Sequence, residues 1–359
     1  MNISGLLIYW YVENKRDLPW RNTHDPYFIW LSEVILQQTR VNQGMSYYFK
    51  FIENFPTVFD LAGADEQTVL KTWQGLGYYS RARNLHYTAK KIAYTYEGKF
   101  PQSKKELENL KGVGAYTAAA IASFCFNEPV AVVDGNVSRV LARIFEVSTP
   151  VNSTKGHKII EQMANELIKG VDSAQFNQAV MELGALVCVP KNPKCSLCPV
   201  VSYCGAYKNN NVKDFPVKNA LKKPKSRYFT YLIIVNEDKI LLRKREGKDI
   251  WKNMYDFPCI ENDTEKENDE IIKQIMQYDV LADTAFEIMD ISKIFLHQLT
   301  HQSLYARFYY LKTEEINGQL PENVFWTKKN EINNYPLPRL IDKYLKNSFL
   351  NHQAENGLV

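Results

Sequence analysis

Apolar residues follow two different periods along the chain. From residue 1 to about 205 they recur every three to four positions, as in HDPYFIWLSEVILQQTRV, which predicts one helix after another. Asp25 and Pro26 stand where an N-cap and a first helical residue belong. No convincing alternating strand pattern interrupts this half, so we predict that it is all-α, with about ten helices.

After residue 227 the period becomes two. YFTYLIIV, the turn NEDK and ILLRKR predict a β-hairpin, MYDFPCIE and LYARFYYLK predict further strands, and DEIIKQIMQY and PLPRLIDKYLKNSF predict helices. The segment between the two halves is rich in Asn, Lys and Pro and has no apolar period. We therefore expect a mainly α domain over 1–205, a basic linker over 206–227 and an α+β domain over 228–359.

Composition and charge narrow the class of protein. The 359 residues are 45% apolar and 23% charged, typical of a globular protein of two domains. No apolar stretch predicts a membrane span, and ISGLLIYWYV reads as the start of a core helix and not as a signal peptide. We expect a cytoplasmic protein, nucleoid-associated if bacterial, with reduced thiols.

The charge is divided unevenly between the halves. Residues 1–227 carry 28 Lys and Arg against 19 Asp and Glu, whereas residues 228–359 carry 16 against 21. A basic half beside an acidic half indicates that the first half meets a polyanion. Ordinary asymmetry between two domains is the alternative explanation.

A glycine turn precedes a helix in ENLKGVGAYTAAAIA. The first N–H groups of a helix have no partner within the helix, so a Gly-x-Gly turn at its start predicts an anion site. Gly112, Val113 and Gly114 form this turn, and Tyr116 stands on the first helical turn behind it. The alternative is a purely structural turn between two helices.

Four of the six cysteines fall within CVPKNPKCSLCPVVSYC. Four thiolates at such spacing bind either zinc or a [4Fe–4S] cluster. Only one short C-x2-C spacing occurs, whereas zinc ribbons usually pair two, so the spacing favours the cluster. Disulfides are disfavoured in a reducing compartment. The predicted ligands are Cys188, Cys195, Cys198 and Cys204.

Two carboxylates are candidates for acid–base chemistry. Glu33 lies in a helix that is apolar nearly all round, with Ile29, Trp30 and Leu36 as its helical neighbours. Desolvation there should raise its pKa, although a structural pairing with an arginine is the alternative. Asp134 in VVDGNV is the second candidate, and it also stands where the N-cap of a following helix would be.

The hairpin, the aspartate in VVDGNVSRVLAR and the C-x6-C-x2-C-x5-C loop together resemble the endonuclease III superfamily of DNA glycosylases. The resemblance implies a helix-hairpin-helix glycosylase fold. It also implies that Gly112, Val113 and Gly114 hold phosphates of the DNA backbone, which position the protein without reading sequence.

Tyr116 separates two branches of that superfamily. Bifunctional members carry a lysine just after the hairpin, which forms a Schiff base with the sugar and cuts the strand. A phenol cannot form an imine, so the chain resembles the monofunctional branch, the MutY family of adenine glycosylases. LPWR, WLSEVILQQTRV, GLGYYSRARNLH and FNQAVMELGALVC also resemble that family, densely in the N-terminal half and more thinly beyond it.

The resemblance implies a substrate and a chemistry. The substrate is double-stranded DNA with adenine opposite 8-oxoguanine or guanine, and the reaction belongs to base excision repair. We expect the enzyme to act as a monomer. Glu33 would protonate adenine at N7, and Asp134 would stabilise the oxocarbenium ion or form a transient covalent intermediate. Asn136 would lie beside Asp134, and Tyr116 would contact the sugar.

Further residues are implied by the need to flip the adenine out of the stack. Gln38 and Tyr78 match residues that wedge the opened stack and read the lesion, although Tyr78 could instead be a core tyrosine. Arg21, Leu36 and Gln178 match residues that line the adenine pocket.

The second domain resembles the Nudix hydrolases at IWKNMYDFPCIE. The Glu-rich helix that binds magnesium in those enzymes has no match in ENDTEKENDEIIKQI, so we predict recognition of 8-oxoguanine and no pyrophosphohydrolase activity. The family's Phe-Ser-His loop corresponds to Leu299, Thr300 and His301. Threonine in place of serine keeps the hydroxyl, whereas leucine in place of phenylalanine loses an aromatic face. From the residues alone, without the resemblance, we would predict that Thr300 is a surface turn residue.

Two other functions are compatible with the same fold. One is a catalytically silent, cluster-bearing DNA-binding protein, against which the presence of both Glu33 and Asp134 argues. The other is a bifunctional pyrimidine glycosylase, against which the absence of a lysine at position 116 argues.

Overall fold

The computed structural model describes residues 2–220, 223–314, 316 and 319–349. Contacts divide the chain into two units, one made of 1–63 with 84–220 and the other of 64–83 with 221–359. Residues 221–222 of the predicted linker lie outside the described residues, as do 315, 317–318 and 350–359 of the predicted second domain. The domain boundaries at 205 and 227 stay a prediction.

Helices account for the regular structure of the described residues up to 220, as the apolar period predicts. The α-helices of the described chain are α1 (Ile3–Asn14), α2 (Pro26–Leu36), α3 (Val41–Asn54), α4 (Val58–Gly63), α5 (Glu66–Trp73), α6 (Ser80–Thr95), α7 (Lys104–Leu107), α8 (Ala115–Phe126), α9 (Gly135–Ile144), α10 (Thr154–Leu167), α11 (Ser173–Leu186), α12 (Gly205–Lys208), α13 (Asn268–Met276) and α14 (Arg339–Tyr344).

The start of α2 is specified locally. The Asp25 carboxylate accepts the N–H of Tyr27 at 2.8 Å, and Pro26 occupies the first helical position, as predicted. Beyond this start every residue from Ile29 to Ile35 is buried, polar side chains included. A helix so enclosed takes any carboxylate on it out of water, which is what a desolvated acid requires.

One hydrophobic core joins α1, α9, α10 and α11. Leu7, Val140, Ile160 and Leu183 are among its fully buried members. Helices α9 and α11 approach so closely at Gly184 that a Cβ atom there would lie 2.6 Å from the Cβ of Asn136. This contact fixes the turn that leads into α9, where Asp134 lies.

The second unit contains a sheet, as the alternating pattern predicts. Its strands are β1 (Lys225–Asn236), β2 (Lys239–Lys244), β3 (Tyr255–Asp256), β4 (Cys259–Asn262), β5 (Phe286–Ile291), β6 (Phe295–Gln298), β7 (Gln302–Thr313) and β8 (Val324–Lys328). The predicted hairpin β1–β2 is antiparallel, and β1 pairs in parallel with β7. The main path runs β3-β2-β1-β7-β5, while β4 pairs with β1, β6 with β7 and β8 with β2. Three strands, β5, β6 and β8, lie in segments whose sequence pattern we did not assign.

Residues 64–83 belong to the second unit although they lie within the helical half of the sequence. Asn253 donates to the Glu66 carboxylate at 2.6 Å, Lys71 to the Tyr335 carbonyl at 3.2 Å, and Gln74 to the Asp342 carboxylate at 3.0 Å. Each of these contacts joins residues that are far apart in sequence, so the local sequence pattern of α5 does not predict it. Across the described ranges no helix is long and apolar enough to cross a membrane.

A matched pair of glycine substitutions tests the tight packing at the start of α10. A Cβ atom at Gly156 would lie 2.1 Å from the Pro150 carbonyl oxygen, so Gly156→Ala should destabilise the protein by about 1–3 kcal/mol through overpacking. Gly247→Ala places its methyl group in open space and serves as the control. Thermal denaturation of both variants checks this, and equal melting temperatures would contradict it.

Candidate active site

Glu33 is a buried carboxylate of the candidate site. Its residue is 9% exposed on the enclosed helix α2. Burial raises its pKa to about 7, although a hydrogen bond with Tyr116 and the charge of Arg21 lower it and the charge of Asp134 raises it further. Desolvation therefore outweighs the arginine, and the group can hold a proton near neutral pH.

Tyr116 stands on the first turn of α8. Its hydroxyl faces the Glu33 carboxylate and also the Sδ atom of Met181, 3.8 Å away. The carboxylate is much the stronger acceptor of the two. Burial and then the two carboxylates, Glu33 and Asp134, raise the pKa of the phenol well above its ordinary value. The side chain is therefore neutral at physiological pH and can donate a hydrogen bond.

Asp134 is the N-cap of α9, as one of its two predicted roles requires. One carboxylate oxygen accepts the N–H of Val137 at 2.7 Å, and the other accepts the side-chain amide of Asn136 at 2.7 Å. Burial raises the pKa of Asp134, while these hydrogen bonds and the charge of Arg139 oppose that rise. Because Asp134 also acts electrostatically on Glu33 and Tyr116, the three side chains form one cluster.

Arg139 sets the orientation of the Asn136 amide. Its guanidinium donates to the Asn136 side-chain oxygen at 2.9 Å, which leaves the NH2 group of that amide to face Asp134. The same guanidinium donates to the carbonyl of Gly184 at 2.7 Å and to that of Cys188 at 2.7 Å. We did not predict this residue. The available signal is the segment SRVLAR, which carries two arginines shortly after Asp134.

Arg21 and Gln178, two predicted pocket residues, lie together. The Arg21 Nε atom donates to the Gln178 side-chain oxygen at 3.1 Å. The guanidinium also donates to the Oε2 atom of Glu182 at 2.8 Å, and Arg16 donates to the same oxygen at 2.6 Å. Leu36, the third predicted pocket residue, is partly buried at the end of α2.

Glu182 is a fully buried counter-ion that the sequence reasoning missed. Burial would raise its pKa, but hydrogen bonds from Arg16 and Arg21 outweigh burial and lower the pKa to about 2. The negative charge of Glu182 holds the Arg21 guanidinium in place. Arg21 in turn donates to the side-chain oxygen of Gln178, which directs the NH2 group of Gln178 away from the arginine. Its position four residues after Gln178 on α11 is the available signal.

Gln38 and Tyr78, the two predicted wedge residues, share an uncommon backbone conformation. Their φ angles are +56° and +47°, in the left-handed region that favours glycine. Both side chains are exposed, and Tyr78 is 40% exposed, so it is not a core tyrosine. Strained non-glycine residues cluster at functional sites, which makes both turns candidates for contact with a ligand.

Thr300 and His301 occupy the tip of the β6–β7 hairpin. The Leu299 N–H donates to the Gln302 carbonyl at 2.8 Å and closes the turn. Thr300 is exposed there, as a surface turn residue would be, and its hydroxyl hydrogen-bonds the hydroxyl of Tyr78 within the second unit. The structure thus brings together two of the predicted lesion-reading residues, one from each end of the sequence.

The structural reason for glycine differs between the two glycines of the hairpin. Gly112 has φ +81°, and a Cβ atom there would lie 2.6 Å from the Cβ of Asn84, so the fold itself demands glycine. Gly114 caps α8 without any side-chain cap, and a Cβ atom there would meet nothing within 4 Å. The fold leaves space at Gly114, and glycine is among the residues preferred at a helix N-cap.

All four predicted cysteine ligands line one apolar cavity, with Val140, Leu183 and Val187 among its walls. Among the described residues no three His, Cys, Asp or Glu side chains converge on a point as the ligands of a single ion would. All six cysteines are free thiols in the described chain. Four thiols around one cavity match the four cysteine ligands of an iron–sulfur cluster. Arg143 donates to the Sγ atom of Cys188 at 3.4 Å and would help hold such a cluster.

Comparison with known proteins places this arrangement in a family. Residues 31–170 match the HhH-GPD superfamily of base excision DNA repair proteins, and residues 230–347 match the NUDIX domain. An adenine DNA glycosylase of Buchnera aphidicola subsp. Baizongia pistaciae is 34% identical over 348 residues, which cover 94% of each chain. The chain belongs to the adenine DNA glycosylase family.

Other relatives support this assignment over part of the chain. The human adenine DNA glycosylase is 44% identical over 211 residues, which cover 56% of this chain and 39% of that protein. Among solved structures, a thermostable thymine-DNA glycosylase aligns with a TM-score of 0.53 and 30% identity over 57% of this chain and 95% of its own. A trapped endonuclease III–DNA covalent intermediate aligns at 0.50 with 20% identity over 58% of this chain and 94% of its own, and shows a shared fold.

The cysteine cavity of this adenine glycosylase family member holds an iron–sulfur cofactor. Residues 188–204 match the iron–sulfur binding domain of endonuclease III. The prediction of a [4Fe–4S] cluster over zinc is therefore confirmed, and the span of the match begins and ends at Cys188 and Cys204.

Glu33→Gln should stabilise the protein, and more so as the pH rises. Glutamate has an ordinary pKa of 4.5 and Glu33 one of about 7, so ionised Glu33 costs the folded state about 3 kcal/mol above pH 7 and almost nothing near pH 4.5. The neutral amide avoids this cost. Melting temperatures of variant and parent at about pH 5 and about pH 8 check this, because the gap should widen at the higher pH.

The exposed residue Glu53 provides the control for that comparison. Glu53→Gln should shift the melting temperature little, and by the same amount at both pH values. A Glu33→Gln shift that is also the same at both pH values would show that burial does not raise the pKa of Glu33.

Proposed function

We propose that this enzyme excises adenine paired with 8-oxoguanine or guanine in double-stranded DNA and does not cut the strand. The observation that carries the proposal is the cluster of Glu33, Asp134 and Tyr116, in which one buried carboxyl group has a pKa of about 7 and lies beside a second carboxylate and a neutral phenol. Two carboxylates with different environments are what cleavage of a glycosidic bond uses. The enzyme acts as a monomer in this proposal.

Glu33 is the proton donor. With a pKa of about 7 it is protonated in about half of the molecules at neutral pH, the value at which general acid catalysis is most effective. Transfer of its proton to N7 of a flipped adenine turns the base into a neutral leaving group. The enclosed helix α2 keeps water from competing for that proton.

Asp134 stabilises the positive charge that develops on the sugar as adenine departs, or attacks C1′ to form a transient ester that water then hydrolyses. Its hydrogen bonds to Val137 and Asn136 fix both oxygens, so little reorganisation accompanies the reaction. Arg139 supports this arrangement from behind through Asn136.

Tyr116 supplies a hydrogen bond where the bifunctional branch has an amine. The phenol stays protonated and cannot form a Schiff base, so β-elimination at the abasic site has no covalent intermediate to start from. This is the support for glycosylase activity without strand cleavage.

The remaining roles concern binding of the substrate. Gln178, held by Arg21, presents its NH2 group to the adenine, and Leu36 packs against the base. Gln38 and Tyr78 project from strained turns and enter the stack that the flipped base leaves. The amides of Gly112, Val113 and Gly114 hold backbone phosphates. Thr300, His301 and Tyr78 read the base opposite adenine, supported by the hydrogen bond between the Thr300 and Tyr78 hydroxyls.

Adenine release from a short duplex with a single A opposite 8-oxoguanine tests the proposed reaction. Single-turnover samples are analysed with and without hot alkali, and strand breaks should form only after alkali. Glu33→Gln should bind the duplex but lose about 10²–10⁴-fold in rate, because the general acid is gone.

The other outcomes of that assay identify the competing functions. Breaks without alkali would mean that a nucleophile other than Tyr116 does the work of the lysine. Binding without breaks in either sample would identify a silent DNA-binding protein. Release of a pyrimidine would identify the endonuclease III type of specificity.

Thr300→Ala should weaken discrimination between A opposite 8-oxoguanine and A opposite G. Loss of one hydroxyl hydrogen bond costs about 1 kcal/mol, so the ratio of single-turnover rates, measured with enzyme in excess over the duplex but below saturation, should fall about fivefold. Thr300→Ser keeps the hydroxyl and should keep the ratio. Equal ratios in all three proteins would exclude Thr300 from reading the opposite base.

A further inference from the structure

An exposed lysine stands directly before the glycines of the hairpin. Lys111 follows the buried Leu110 and precedes Gly112, and its side chain is exposed. Its Nζ atom lies 4.4 Å from the centre of the Tyr87 ring, the shortest of the cation–ring contacts found in the described residues. A contact of this length places the ammonium group on the face of the ring, where the ring quadrupole attracts it.

The neighbouring residue of α6 holds the backbone of the same lysine. The Thr88 hydroxyl donates to the Lys111 carbonyl at 2.8 Å, and Thr88 is fully buried. Asn84 packs on Gly112 so tightly that no side chain could replace the glycine. Positions 84, 87 and 88 are three and four residues apart, so they share one face of α6. This face therefore holds both the hairpin backbone and the ammonium group beside it.

The charge of Lys111 is not neutralised by the protein. Among the ion pairs of the described residues none includes Lys111, and Tyr87 contributes a neutral ring that is itself 54% exposed. The hairpin amides supply directional hydrogen bonds to an anion but carry no net charge. A fixed, unpaired ammonium group next to them would supply the charge.

We propose that Lys111 binds a DNA backbone phosphate beside the hairpin amides and that Tyr87 holds its ammonium group in position for that contact. The inference rests on the proposed function, because it assumes that the hairpin meets DNA. Lys111 adds affinity that is independent of sequence, and Tyr87 is a positioning residue that acts through Lys111. Neither residue touches the reacting base.

The salt dependence of DNA binding separates this role from a general charge effect. The full-length protein with its cluster is titrated with a short matched duplex, and with the same duplex carrying A opposite G, over a series of KCl concentrations. Lys111→Gln should reduce the slope of log K against log salt by about 0.9, because one phosphate contact is lost. Binding of both duplexes should weaken by the same factor.

Lys91 is the matched control. Lys91 lies on α6, the helix that carries Tyr87, and its Nζ atom is 5.5 Å from the centre of the Tyr96 ring. It therefore also pairs a lysine with a tyrosine, but it is not next to the hairpin. Lys91→Gln should leave the slope unchanged. An unchanged slope in Lys111→Gln, or an equal decrease in Lys91→Gln, would overturn the proposal.

Two substitutions at Tyr87 test the positioning role. Tyr87→Leu should weaken binding about two- to fivefold without changing the slope, because the lysine still reaches the phosphate but is no longer held. Tyr87→Phe keeps the ring and should bind like the parent. If Tyr87→Leu binds like the parent, the ring does not position the lysine. Melting temperatures confirm that the variants are folded.

The salt experiment and the adenine-release assay can fail separately. A parent protein that releases no adenine but shows the slope change at Lys111 would contradict the proposed reaction and keep the DNA contact. A parent that releases adenine but shows no slope change would keep the reaction and remove Lys111 from the interface.

Discussion

The removal of Glu33 from water is the constraint on which the candidate site depends. An ionised carboxylate in an apolar helix is unfavourable, and Arg21, the cation whose charge lowers the pKa of Glu33, is itself paired with Glu182. Because Arg21 is paired with Glu182, its charge lowers the pKa of Glu33 by less than burial raises it. A carboxyl group with a raised pKa lowers the stability of the folded protein at neutral pH and above, and in the proposed function this group is the proton donor.

Asp134 shows the opposite strategy. It is partly buried, but the hydrogen bonds that it accepts come from the fold: from the Val137 N–H at the start of α9 and from the Asn136 amide, which Arg139 holds in turn. Its position is therefore determined by the packing of α9 on α11, where Gly184 lets the two helices touch. One carboxylate is destabilised by its surroundings and the other is anchored by them, which is how two similar side chains come to have different chemistry.

Much of this could be predicted from the sequence, for identifiable reasons. Glu33, Gly112 and Gly114, Asp134 and the cysteine loop are each recognisable because local pattern alone defines their setting: an apolar helix, a turn before a helix, an N-cap or a fixed spacing. Arg139 and Glu182 could not be found in this way. Glu182 is paired with Arg16 and Arg21, 166 and 161 residues away. Arg139 orients the nearby Asn136 amide but is itself held by the carbonyls of Gly184 and Cys188, 45 and 49 residues away, and only the packing of helices brings these partners near. Strands β5, β6 and β8 were missed for different reasons. Strand β6 has only four residues, and β8 pairs with β2, which lies far earlier in the chain. In β5 the register against β7 shifts between Ile288 and Asp290, which interrupts the regular pairing.

The division of the chain at residues 64–83 has a consequence for how the protein can be dissected. The second unit is built from two separate pieces of sequence, one of them inserted between two pieces of the first unit. The polypeptide therefore passes between the units at three places, and the linker near residue 221 is only one of them. Cutting there would leave α5 attached to the first unit, with Glu66, Lys71 and Gln74 deprived of their partners. A fragment that ends at the linker is consequently not an isolated domain, because it also contains residues 64–83, which belong to the second unit.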